Sequence, residues 1–273
     1  MVGARVGVEG GRQAGRRYLV GMSTKMYFSH ARTLQWCREA IELSRLHPAV
    51  LGGHAELFVL PGFLSVGSVV QQLGSAGSAG TYWSVGAQDV CWADDGPYTG
   101  EVSAGQLAEV GARLVEVGHA ERRRLFGEDE SVVAAKTAAI LRHGLTPVLC
   151  IGEAERLSQA AAVEVCLSQI AAALGPARAA GCRVRIGGAA EPVWAIGASE
   201  PAGVEHIGGV CGPLRAALAD DPDYFGDVIY GGSAGPGLLR EVGEHVDGLF
   251  LGRFAHDPQA IKGILDDVLV LVD

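Results

Sequence analysis

Asparagine is absent from this 273-residue chain, and lysine nearly so: only Lys25, Lys136 and Lys262 among 22 basic side chains are Lys. Where a chain otherwise chooses Arg, a Lys at the mouth of a strand marks a place that wants a compact ammonium. No apolar run reaches the roughly eighteen residues a membrane span needs. Met1–Arg17 mixes Gly, Arg and Val with no apolar signal core, and reads as a short flexible arm ahead of one domain over 18–273. The six cysteines, Cys37, Cys91, Cys150, Cys166, Cys182 and Cys211, show no paired spacing and sit mostly in apolar segments. They read as reduced core residues of a cytoplasmic protein, and no Cys/His spacing suggests a metal. A net charge of −9 and a pI near 5.4 argue against nucleic acid or an anionic membrane as the main partner, while leaving room for a basic pocket around a small anion.

What is present is a regular alternation. Short apolar runs at Tyr18–Met22, Leu57–Leu60, Trp83–Ala87, Leu114–Val117, Pro147–Ile151, Val184–Gly188, Val228–Tyr230 and Leu249–Leu251 read as strands. Amphipathic stretches such as Ala31–Arg45, Ser131–Arg142, Glu155–Leu174 and Cys211–Ala219 lie between them. Eight strands with helical crossovers pair in parallel, and eight closes a (β/α)8 barrel. The alternative is a doubly wound open sheet, but no GxGxxG follows the first strand. With 48% apolar residues and no linker-like break, one domain is the simplest reading.

In such barrels chemistry sits where strands end. Those positions carry Lys25 after the first strand, His119 after the fourth and Glu191 after the sixth; Gly231-Gly232-Ser233 follows the seventh and Gly252-Arg253 the eighth. Glu191 opens Glu191-Pro192-Val193-Trp194-Ala195-Ile196-Gly197, where apolar neighbours raise a carboxylate's pKa and exclude water, as proton abstraction beside a carbonyl requires. The same stretch also reads as a helix start with Pro at its first position. His119 near a helix N-terminus suits a neutral donor to a carbonyl oxygen, or equally a helix cap. Glu121 reads either as part of a solvated charge run or as the partner of Lys25. The two glycine-rich corners are candidate phosphate cradles, since backbone N–H groups reach an anion closely there.

With these residues in this order, the chain resembles the triosephosphate isomerase family over nearly its whole length, which implies the TIM barrel. The roles implied by that resemblance are the ones the family is known for: Glu191 as base with its lid, His119 as electrophile, Lys25 in Ser23-Thr24-Lys25-Met26 as the active-site lysine and Glu121 as its acid. Gly197, Ser233 and Gly252 match phosphate-binding positions, and Leu149–Glu153 agrees with the family pattern. Tyr98-Thr99-Gly100-Glu101 matches a loop inserted into a partner subunit, which implies a homodimer. No cofactor is implied.

The departures surround the ligand. Ser23 stands where the family usually has Asn, Thr24 for Trp, Ala120 for Ser and Arg253 for Gly, and the lid ends Ala198-Ser199-Glu200-Pro201-Ala202. Ser23, Arg253 and that lid ending are similar to the branch acting on erythrulose phosphates. The implied reaction is L-erythrulose 1-phosphate to D-erythrulose 4-phosphate, with Ser23 making room for one more hydroxymethyl group and Arg253 either meeting the phosphate or pointing outward. Triosephosphate isomerisation proper is the alternative, and a non-catalytic phosphosugar-binding barrel is a rival of another class.

Overall fold

A computed structural model describes residues 16–76, 82–179, 184–198, 200–221 and 224–272, with side chains described from Gly187 onward in the third of these segments. Of the expected arm only Arg16 and Arg17 are described; Met1 to Gly15 lie outside, as do Cys182 and Ser199.

Eight strands, β1 (Tyr18–Ser23), β2 (Ala55–Leu60), β3 (Trp83–Ala87), β4 (Leu114–Val117), β5 (Thr146–Ile151), β6 (Val184–Ala190), β7 (Tyr224–Tyr230) and β8 (Gly248–Leu251), close into one parallel barrel. Each pairs with the next, and β8 returns to β1 with Leu19 opposite Gly248. A parallel sheet covered by helices is buried on both faces, which is why its strands read as short apolar runs without alternation. Several strands extend beyond those runs. β1 gains Ser23, β6 gains Ala189 and Ala190, and β7 begins four residues early, because ladder hydrogen bonds continue wherever a neighbouring strand is alongside.

The helices also differ from expectation at their starts. Gln159–Ala179 begins after Glu155, because residues 152–158 form a loop that carries Glu153 against Trp194 and His206. Val204–Asp220 begins seven residues before Cys211, its first turns hidden by Gly208, Gly209, Gly212 and Pro213. By length and composition Gln159–Ala179 could cross a bilayer. Here it is a barrel helix, burying Ala162, Cys166, Ile170, Ala173 and Leu174 between its neighbours.

Most of the core lies between sheet and helices; a smaller cluster fills the barrel itself. Inside, Phe58 and Phe250 stack with ring centroids 5.6 Å apart. Gly21 has no Cβ for a reason: one built there would overlap the Phe58 ring. This apolar plug makes the barrel a packed core with a floor. At the C-terminal ends of the strands the interior turns polar, with Ser23 on β1 and Glu116 on β4 both buried.

Candidate active site

One cavity of about 290 Å³ opens at the C-terminal mouth of the barrel. Ser23, Lys25, His119, Glu121, Glu191, Gly197, Ser233, Gly252 and Arg253 all line it, although they come from five different strand ends.

Lys25 sits where β1 breaks into its loop, with a left-handed φ of 46° that a non-glycine residue adopts only under constraint. The constraint is Gln88, whose side-chain amide donates to the Lys25 carbonyl at 3.1 Å, to Thr24 Oγ1 at 3.0 Å and to the Leu60 carbonyl at 2.8 Å. The ammonium then lies 2.7 Å from Glu121 Oε1 and 3.4 Å from His119 Nε2.

His119 does cap a helix, and that is how its chemistry is set. It is the N-cap of Ala120–Phe126, and the Glu121 backbone N–H donates to its Nδ1 at 3.1 Å. With Nδ1 an acceptor, the neutral ring carries its proton on Nε2, which faces the cavity. Burial, reinforced by the Lys25 charge, lowers its pKa to about 4, so the imidazole is neutral across the physiological range. Its contact with Glu191 Oε2 at 3.6 Å is therefore not an ion pair.

The charge run after His119 is not solvated. Glu121 binds Lys25; Arg122 reaches Glu128 at 2.6 Å and Asp89 at 2.8 Å; Arg123 Nε donates to the Gly118 carbonyl at 2.7 Å. Lys136, almost wholly buried, completes this network through Asp89 and Glu128. Burial pushes the Glu121 carboxyl upward, but the hydrogen bond and charge of Lys25 outweigh it and hold the group below its ordinary value.

Glu191 follows β6, anchored by its backbone N–H to the Ile151 carbonyl at 2.7 Å. Its side chain lies across Gly231, where any Cβ would overlap it. Oε2 is buried with no hydrogen-bond partner among the described residues. Burial first, then the neighbouring Glu116 charge, raises the pKa to about 8.

The loop after Glu191, Ser199 apart, is held down over the cavity. Trp194 Nε1 donates to Glu153 Oε1 at 2.9 Å, and His206 Nε2 meets the same oxygen at 2.9 Å. The Arg156 guanidinium covers the Trp194 ring at 4.4 Å. Ser233 Oγ donates to the Ala198 carbonyl at 2.7 Å, and the Ala202 N–H donates to Tyr230 Oη at 2.9 Å. Arg253 neither points outward nor stands free in the cavity: its guanidinium donates to the Gly197 carbonyl at 2.9 Å. The hydroxyl of Ser233 and one guanidinium N–H of Arg253 are thus engaged with the lid.

Gln88 and Glu116 escape the sequence reading, and Glu153 enters it only within the Leu149–Glu153 match. Gln88 and Glu153 act through folded-back contacts that no local pattern announces. Glu116 does leave a signal, a carboxylate inside the otherwise apolar Leu114–Val117. It accepts from Ser23 Oγ at 3.1 Å, lies 3.9 Å from His119 Nε2 and 3.8 Å from the Cys150 thiol, and burial raises it to about 7.

Comparison with known proteins agrees with this architecture. The family model for triosephosphate isomerase matches residues 18–268. The L-erythrulose-1-phosphate isomerase of Pectobacterium atrosepticum is 48% identical, over 94% of this chain and 97% of its own. Its namesake in Mesorhizobium japonicum is 37% identical, over 91% and 96%. The triosephosphate isomerase of a Synechococcus species is 32% identical, over 92% and 97%.

Proposed function

The chain belongs to the triosephosphate isomerase family, and we propose that this isomerase interconverts L-erythrulose 1-phosphate and D-erythrulose 4-phosphate through an enediol. The observation that carries the substrate is the 48% identity with an L-erythrulose-1-phosphate isomerase over almost the whole chain, against 32% with a triosephosphate isomerase of equal coverage. The substitution of Ser at position 23 on the cavity wall agrees with a longer substrate.

Backbone N–H groups at Gly197, Ser233 and Gly252 bind the phosphate at one end of the cavity. Glu191 takes the proton from C3, the carbon bearing the hydroxyl, while His119 Nε2–H hydrogen-bonds the C2 oxygen as charge develops on it. A raised pKa makes Glu191 a stronger base once ionised, and the uncharged imidazole, with its proton on Nε2, still donates to the carbonyl oxygen. The Lys25 ammonium, held by Glu121, stabilises the enediolate oxygens. His119 moves the hydroxyl proton between the two oxygens, and Glu191 returns its proton to C2. The ketone has then moved by one carbon, with no net change in atoms or electrons. The closed lid keeps water from the intermediate.

A homodimer through Tyr98–Glu101 accords with exposed apolar surface beside the site: Met26 is 98% exposed, Leu64 is 93% exposed, and Tyr98 lies edge-on to a half-exposed Trp92. A cytoplasmic location accords with five described cysteines that are buried and unpaired.

Proton NMR in heavy water, with L-erythrulose 1-phosphate and dihydroxyacetone phosphate in parallel, tests the reaction. Conversion with deuterium uptake, and a higher kcat/KM on the tetrulose, is expected. A higher kcat/KM on the triose would overturn the substrate, and binding without exchange would overturn catalysis.

A further inference from the structure

Glu116 has no role in the mechanism just described, yet it is a buried carboxylate on the cavity wall. Placing a carboxylate inside a barrel is costly unless it is paired. Among the described residues the one basic nitrogen within 4 Å is His119 Nε2 at 3.9 Å, and that ring is neutral. The carboxylate accepts one good hydrogen bond, from Ser23 Oγ at 3.1 Å, and a weak one from the Cys150 thiol at 3.8 Å. A carboxylate has about four acceptor sites, so capacity remains on the side facing the cavity.

The position of that spare capacity is informative. The substrate's phosphate end belongs with Gly197, Ser233 and Gly252, and its reacting carbons lie between Glu191 and His119. The group beyond them, attached to the carbon that loses its proton, comes next to whatever lies past His119 on the barrel floor. There stand Ser23 and Glu116, whose positions are 93 residues apart in sequence and meet only because the barrel closes. A triose carries only hydrogen at that place, whereas a tetrulose carries a hydroxymethyl group.

We propose that Glu116, oriented by Ser23, forms the subsite for the terminal hydroxymethyl group, with its carboxylate accepting a hydrogen bond from the C4 hydroxyl. This rests on the four-carbon reading of the site. A buried acceptor left without its hydroxyl discriminates strongly, far more than a pocket that merely has room. Glu116 is thus a specificity residue, and the space left by Ser23 is only half of the device. Burial raises its pKa to about 7, with the charges of Glu121 and Asp89 adding to this and Lys25 and Ser23 opposing it. The groups facing it are Ser23, Lys25, Asp89, His119, Glu121, Cys150 and Glu191.

The test pairs a protein change with a substrate change. Wild type, Glu116→Gln and Glu116→Val are assayed on L-erythrulose 1-phosphate, its 4-deoxy analogue and dihydroxyacetone phosphate, with thermal unfolding of each variant. In wild type, removing the 4-hydroxyl is expected to lower kcat/KM about 100-fold. In Glu116→Val the same removal is expected to cost less than about threefold, and the tetrulose-to-triose ratio to fall about 100-fold. In Glu116→Gln, loss of the charge beside Glu191 moves the acid limb of kcat/KM to lower pH on every substrate. A deoxy penalty that survives in both variants overturns the subsite, as does a proportional loss on all three substrates in a variant that unfolds like wild type. A wild type that prefers the triose overturns the four-carbon reading itself, a separate outcome read before any variant is made.

Discussion

The guanidinium of Arg253, just past the last strand, donates to the carbonyl oxygen of Gly197 in the loop after β6, 56 residues earlier in sequence. Gly197 holds a left-handed φ of 73°, so its carbonyl is turned by a backbone that glycine adopts freely. The contact ties the lid to the corner expected to bind phosphate. It joins the Ser233 and Tyr230 contacts as a third fastening between the lid and the ends of the neighbouring strands β7 and β8.

Removing that fastening favours the open loop. Arg253→Ala is expected to raise KM for the phosphorylated substrate about fivefold, since an exposed charge-assisted hydrogen bond contributes about 1 kcal/mol. Steady-state kinetics with a Lys variant alongside check this. Rescue by Lys would assign the effect to charge near the phosphate; failure of rescue assigns it to the guanidinium N–H held on the Gly197 carbonyl.

Glu191→Gln keeps the shape of the site and removes the carboxylate proposed as the base. A loss of about 10³-fold or more in kcat/KM is expected, together with loss of deuterium incorporation, because a positioned base contributes about 10²–10⁴-fold. Retention of exchange at the wild-type rate would place the base elsewhere.

The pH profile of the free enzyme follows from the two buried carboxylates. Glu191 must be ionised to act, and burial together with Glu116 holds it near 8. Below that region kcat/KM falls with falling pH, approaching tenfold per unit; the limb belongs to the Glu116–Glu191 pair more than to either member. With the His119 pKa at about 4, no histidine limb is expected near 6.5. An acid limb near the ordinary carboxylate value would contradict the raised Glu191 pKa.

The same shifts bear on stability. Glu116 and Glu191 have folded pKa values of about 7 and about 8, above the ordinary 4.5, so the native state binds more protons than the unfolded one between about pH 4.5 and 8. Stability therefore falls as pH rises toward and through these folded values, by on the order of 4 kcal/mol in total between about pH 6 and pH 9 for the two groups. Denaturant unfolding of Glu116→Gln should show a shallower pH dependence and greater stability than wild type on the alkaline side. A steeper dependence would reverse the sign of the argument.

Much of this site can be read along the chain, and the reasons are local. Six of the eight strands are followed directly by Gly, Pro or a charged residue, and Lys25, His119 and Glu191 stand within two residues of three strand ends. In a closed parallel barrel every such end faces one mouth, so locating the ends locates the chemistry. His119 shows the limit of this. Its type and place were legible, and so was the chance that it caps a helix; that the cap and the chemistry are one arrangement depends on where the Glu121 N–H points.

By itself, then, the sequence determined the barrel, the order of its strands and the places of Glu191, His119 and Lys25 at their ends, because these depend on periodicity and on residues close in the chain. Tertiary structure decided the rest. It turned Arg253 onto the lid, pinned Lys25 with Gln88, spent the Ser233 hydroxyl on Ala198, and set Glu116 against Ser23 inside the barrel. Each of these is a contact between side chains or carbonyls brought together by closure of the sheet, and no periodicity along one strand carries information about what stands across from it.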